Sequence, residues 1–185
     1  MTDERIQIVL EAKNLIENVE LPNNPKRLRM DKFNYKEWLP QIALFFELYN
    51  KQIPWIAWAG RGTNGGLGVS QLMTFLNKKD NYIDFLVKDD EIIAWVWQYR
   101  YFSDILDVHE RVVAIHDNQV YSSKWFVPRH VRLNKKYKNL PIQWINWLNN
   151  DLSKRSMEGI AYVDRWNKNA LKACLRGGYK IKKWF

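Results

Sequence analysis

Apolar residues recur at helical spacing over 34–53, where Trp38, Ile42, Phe45, Phe46 and Tyr49 share one broad face. The pattern predicts a core helix ending before Pro54. Residues 2–19 place Ile6, Val9, Leu10 and Ile16 at similar intervals, so an amphipathic helix is expected within an N-terminal helical extension over 1–26. Leu28 and Met30 then alternate into a first strand over 27–33, and 69–76 reads as a further helix. Two β-branched and aromatic runs, 82–87 and 91–99, flank the acidic turn residues Asp89 and Asp90 and predict a hairpin. Strands are expected at 112–116 and 120–127. A helix is expected at 142–152, with Ile142, Ile145, Leu148 and Leu152 facing inward.

The last thirty residues have the most regular pattern. Gly159-Ile-Ala-Tyr-Val163 is a short apolar run that predicts a buried strand. Asn167 stands at a helix N-cap, where its side chain can accept from a first-turn amide. Ala170, Leu171, Cys174 and Leu175 form one helix face, while Lys168, Lys172 and Arg176 line another. Gly177-Gly178 then stops the helix, and 179–185 reads as a final strand. This order predicts one α/β (α+β) domain over 1–185.

Composition narrows the class. Hydrophobic residues make up 46% and charged residues 26% of 185, which is the balance of a globular chain with a substantial core. There is no apolar run of about 18 residues to span a membrane. The acidic start, Met-Thr-Asp-Glu, does not look like a secretory signal, and the cytoplasm is the expected location. A single cysteine, Cys174, rules out an internal disulfide and a cysteine-rich metal site.

The net charge of +9 is unevenly placed. Residues 124–185 hold fifteen Lys and Arg against three acids, while the preceding 123 residues hold fourteen against seventeen. A basic C-terminal third implies an anionic partner, such as a coenzyme's phosphates or a nucleic-acid backbone, or a solvated face. The glycine-rich run 60–68 lacks the Gly-Lys-Ser/Thr of a phosphate loop. It is read as a flexible connector beside a cleft.

Asn167, Ala170, Gly178 and Tyr179 stand at the spacing of the closing motif of the Gcn5-related N-acetyltransferases (GNATs), which this chain resembles over roughly 27–185. The resemblance implies a mixed, mostly antiparallel central sheet flanked by helices. It also implies an acetyl-CoA or other acyl-CoA site, with Asn167 beside the coenzyme. In that family a tyrosine seven residues after the asparagine acts as general acid, and this chain has Cys174 there. The family's pyrophosphate loop aligns with 135–141, so the resemblance assigns Lys135, Lys136, Lys138 and Asn139 to the coenzyme. Pro141 removes one of the amides that would hold phosphate, and the left-handed tolerance of Asn139 suits a bend. The triplet Tyr162-Val-Asp164 is similar to one in the phage Mom-type adenine-modification proteins, themselves divergent GNAT-like domains.

Candidate bases are His109, Glu110, His116, Asp117, His130 and Asp164. His116 and Asp164 are the preferred pair, expected to meet at the coenzyme cleft. Cys174 is expected either as an acid or nucleophile with a pKa lowered by nearby lysines, or as a core thiol. Three functions remain open: acyl transfer from acyl-CoA to an amine, modification of a nucleic-acid base, and binding without catalysis.

Overall fold

The computed structural model describes residues 5–10, 19–52, 68–106, 112–164 and 167–184. The glycine-rich run 60–67, His109 and Glu110 lie outside these residues. Seven strands form the main sheet in the order β2-β3-β4-β7-β8-β1-β9. They are β1 (Arg5–Leu10), β2 (Lys26–Met30), β3 (Tyr82–Lys88), β4 (Glu91–Tyr99), β7 (Gln119–Phe126), β8 (Glu158–Asp164) and β9 (Tyr179–Trp184). Strands β5 (Phe102–Leu106) and β6 (Val112–Ala114) pair separately. In the main sheet only the β7–β8 pair is parallel, so the fold is the expected mixed, mostly antiparallel α/β arrangement.

Both faces of the sheet are covered, which is why β3 and β4 are apolar on every side rather than alternating. On one face lie α1 (Leu39–Gln52) and α2 (Val69–Leu76). The rings of Phe45, Phe46 and Tyr49 meet Trp95 at centroid distances of 4.6, 5.3 and 5.4 Å. The other face holds α4 (Leu140–Lys154) and α5 (Lys168–Arg176), with Trp144 and Leu148 against Leu86, Ala94 and Val96. A short helix α3 (Arg129–Leu133) and a 3-10 turn (Lys135–Tyr137) occupy what the sequence pattern left as loop.

The N-terminus departs from expectation. Residues 5–10 form β1, a strand inserted between β8 and β9 and antiparallel to both, instead of the expected helix; 11–18 lie outside the described residues. Over six residues Ile6 and Ile8 satisfy a period of two as well as the rest satisfies 3.6, and two strand edges waiting for partners settle the choice.

Among the described residues of this sheet, Asp84 is the buried charged group. Asp84 on β3 is fully buried and accepts from Arg27 Nε and Nη2 at 3.1 and 2.9 Å and from Arg29 Nε at 3.3 Å. Asp151 on α4 approaches Arg27 at 3.2 Å and Arg155 at 3.0 Å. Burial by itself lowers the Arg27 pKa, but the hydrogen bond and charge of Asp84, then Asp151, outweigh it and leave the pKa raised. The guanidiniums are therefore what make a carboxylate tolerable there.

Candidate functional site

Strands β7 and β8 run side by side for three residue pairs, Gln119 with Glu158, Val120 with Gly159 and Tyr121 with Ile160, and then part. Beyond that point β7 stays on β4 as far as Phe126, and β8 stays on β1 as far as Asp164. The result is a V between two strands of one sheet. Its cause is local: Phe126 faces Trp95 while Ser123 faces Trp97, so β7 carries one extra residue. Lys124, in the left-handed region at φ 51°, lies within this bulge, and a bulge bends its strand and increases its twist.

The bulge aims Lys124 onto the α1/α2 face. Its ammonium donates to the Tyr99 hydroxyl at 2.7 Å and lies over the rings of Trp97 and Tyr99, at 4.9 and 5.3 Å. Tyr99, Tyr121 and Tyr162 follow one another across β4, β7 and β8, with centroids 5.5 and 5.7 Å apart. These three rings and one ammonium form the floor of the V. On the opposite face Ser122 Oγ donates to Gln98 Oε1 at 2.7 Å.

Expected site residues separate into two groups. His116 precedes β7, its amide donating to Gln119 Oε1, at the end where β7 and β8 are still paired. Asp164 ends β8 at the open side of the V, six residues beyond Glu158, which puts the two about 20 Å apart along the strands. They do not form the expected pair. His130 Nε2 lies 3.1 Å from Glu91 Oε1 at the exposed surface.

Cys174 is 4% exposed and packs with Ile145, Ala161, Val163 and Tyr179. Burial pushes its thiol up to about 12, opposite to the lowering expected from nearby lysines. Those lysines sit on the solvent side of α5, and desolvation of the thiolate dominates. Tyr179 is raised too, first by its own burial and then by Cys174. Asn167 caps α5 as its sequence position implied, its Oδ1 accepting from the Ala170 amide at 3.2 Å.

Asn139 adopts the left-handed conformation at φ 66° and begins α4. The adjoining amides bond within the turn: Lys136 N–H to Asn134 Oδ1, Tyr137 N–H to Asn134 O, and Lys138 N–H to Lys135 O. Lys135, Lys136 and Lys138 themselves are exposed. A phosphate here would meet lysine side chains rather than a cradle of amides. The buried Ser123 Oγ and Trp125 Nε1 on β7 have no hydrogen-bond partner among the described residues, and Trp125 packs toward α4 and α5. The β7 edge that β8 leaves after Tyr121 suits an extended ligand carrying amides, as the pantetheine arm of acyl-CoA does.

Lys124 and Tyr99 were not singled out by the sequence reading. A lysine leading the apolar run Trp125-Phe-Val127 was the available signal, because a charge within a strand covered on both faces needs a reason. Among the described residues no helix is long and apolar enough to cross a membrane.

No protein-family model and no curated protein matches the chain. Solved structures do. A GNAT-family acetyltransferase from Colwellia psychrerythraea matches at TM-score 0.60 and 11% identity, covering 97% of this chain and 53% of the other. A GCN5-related N-acetyltransferase from Sphaerobacter thermophilus matches at 0.57 and 11%, over 98% and 49%. A conserved protein of unknown function from Staphylococcus epidermidis matches at 0.58 and 13%, over 98% and 58%. The chain thus spans about half the length of these structures. Together with the strand order and the parting of β7 from β8, these likenesses identify a divergent GNAT fold.

Proposed function

We propose that the chain is an acyl-CoA-dependent N-acyltransferase acting on an amine acceptor. The observation that carries this reading is the V between β7 and β8, opening directly beyond the tyrosine floor with Lys124 bulged into it. Bound there, acyl-CoA supplies an activated thioester. The β7 edge that β8 leaves binds its amide arm, and Lys135, Lys136 and Lys138 hold its phosphates by point charge, with Asn139 setting the bend. Tyr99 donates its proton to the sulfur that leaves, and the Lys124 ammonium, already bonded to that oxygen, stabilises the phenolate left behind. Asp164, at the open end of β8, takes the proton of the acceptor ammonium. Cys174 serves as core.

Calorimetry with acetyl-CoA tests this reading. Saturable binding that weakens about tenfold or more when Lys135, Lys136 and Lys138 are replaced together by alanine supports it, since each lost charge contact to phosphate is worth on the order of 1 kcal/mol. No heat at millimolar acetyl-CoA would favour a binding protein that kept the fold without the chemistry. A nucleic-acid base as the acceptor is the second reading, favoured by Tyr162 lying beside Tyr121 on the floor, where a flat ring could stack.

A further inference from the structure

At the opposite end of the sheet from the V lies a second cleft of about 350 Å³. It opens where β3 and β8 begin and where β2 and β4 end, beyond the end at which β7 and β8 are paired. The acyl-transfer reading makes no use of it. Arg29, Lys32, Lys78, Arg100 and Arg155 line it, against two carboxylates, Asp31 and Asp80.

Its positive charge is only partly cancelled. Behind the wall, Arg27, Arg29 and Arg155 share Asp84 and Asp151, three guanidiniums on two carboxylates. Arg100 donates to the main-chain carbonyls of Asp117 and Gln119, so hydrogen bonds fix its position without neutralising it. The lining acids are engaged locally: Asp31 Oδ1 accepts the Phe33 amide at 2.8 Å, and Asp80 accepts the Tyr101 hydroxyl at 3.3 Å. A rigid, cationic cleft of this size suits a phosphate-bearing ligand.

The rim adds a second kind of contact. Phe33 is 83% exposed, the most exposed of the large hydrophobic residues among those described, and the Lys32 ammonium lies 5.0 Å from its ring. An aromatic face held out to solvent beside cations is a stacking platform next to a phosphate site. We infer that this cleft binds a nucleotide unit, its phosphate among Arg29, Lys78 and Arg100 and its base on Phe33. The unit comes either free or within a single strand of nucleic acid.

The test is fluorescence anisotropy of the full chain with a labelled single-stranded oligonucleotide of about twelve nucleotides, within the range one such groove covers, across a salt series. Lys32→Glu with Lys78→Glu is expected to weaken binding about tenfold or more and to flatten the salt dependence by roughly one phosphate contact. Phe33→Ala is expected to weaken binding about fivefold or more with the salt dependence unchanged. All three side chains are exposed, so the variants should fold, and circular dichroism checks this. Unchanged affinity in the double variant, or in Phe33→Ala, would overturn the inference. So would loss of binding only when Lys135 and Lys138 are reversed.

Competition distinguishes the source of the ligand. Adenosine monophosphate displacing the probe where inorganic phosphate does not assigns a free nucleotide. Probe binding at the cleft with neither competitor effective assigns the strand. Phosphate competing as well as the nucleotide would overturn recognition of the base.

Discussion

The Lys124 ammonium bonds the Tyr99 hydroxyl at 2.7 Å across the β4–β7 pair, at the bulge where β7 leaves β8. A non-glycine residue at φ 51° is a local cost, here carried by a charged side chain turned onto an aromatic floor. If the pair handles the proton of the leaving sulfur, Tyr99→Phe and Lys124→Met each lower kcat by about 10²- to 10⁴-fold. The two losses should be far from additive, because they remove one unit. Coenzyme release with a panel of amines measures the rate, and calorimetry checks that acetyl-CoA affinity stays within about twofold. Full activity in Tyr99→Phe would dismiss the assignment.

Asp84 is buried between two guanidiniums. Asp84→Ala leaves Arg27, itself 18% exposed, to Asp151 alone, and should cost about 2–3 kcal/mol in urea unfolding, below the range for a fully stranded buried charge. Arg29→Met, at a 38% exposed side chain, should cost no more than about 1 kcal/mol. Equal costs would mean that the burial of the carboxylate is not what matters.

Helices α4 and α5 approach through Gly177, where a Cβ would stand 2.3 Å from Ile145 Cγ2 and 2.8 Å from its Cβ. The Gly177 carbonyl also accepts from Asn149 Nδ2 at 3.1 Å, which resists retreat. Gly177→Ala should therefore destabilise by about 1–3 kcal/mol. Ile145→Ala in the same chain should recover part of that loss, and a double-mutant cycle reads the coupling. An additive cycle would contradict the close approach.

Burial pushes the folded Cys174 thiol up to about 12 from its ordinary value of 9.0. Its folded pKa is raised, so the stability it confers is complete below pH 9.0 and is lost as pH rises toward 12. The upper bound on the slope is about 1.4 kcal/mol per pH unit for this group, and Tyr179 acts in the same direction. Urea midpoints from pH 8 to about pH 10.5 should fall less steeply in Cys174→Ala. A thiol reagent should label the native chain at pH 8 only after unfolding; rapid labelling of folded protein would refute core burial. Cys174→Tyr should destabilise by about 1–3 kcal/mol through overpacking.

Much of the fold could be read from one-dimensional pattern. The α1 stripe, the β3–β4 hairpin and the unit from β8 through the Asn167 cap to Gly178, at φ 102°, depend on spacing, capping and turn chemistry, which act between residues near in sequence. The mixed sheet was expected from the family resemblance rather than from local pattern, and the tolerance of Asn139 for left-handed backbone made its turn legible. The position of β1 was not legible, because six residues satisfy two periods and the decision lies with edges more than a hundred residues away. Nor was the candidate site: Lys124 becomes a site residue only through a bulge counted against β4 and a strand that departs, and His116 is removed from it by the length of β7. Cys174 shows the same limit in its chemistry, since sequence places cations near it while burial sets its pKa. Sequence by itself determined which segments are strands and helices and where most of them stop. Tertiary structure alone decided which strand edges meet, which part, and which polar groups are left between them, because hydrogen-bond pairing and desolvation depend on neighbours that the chain brings together only when folded.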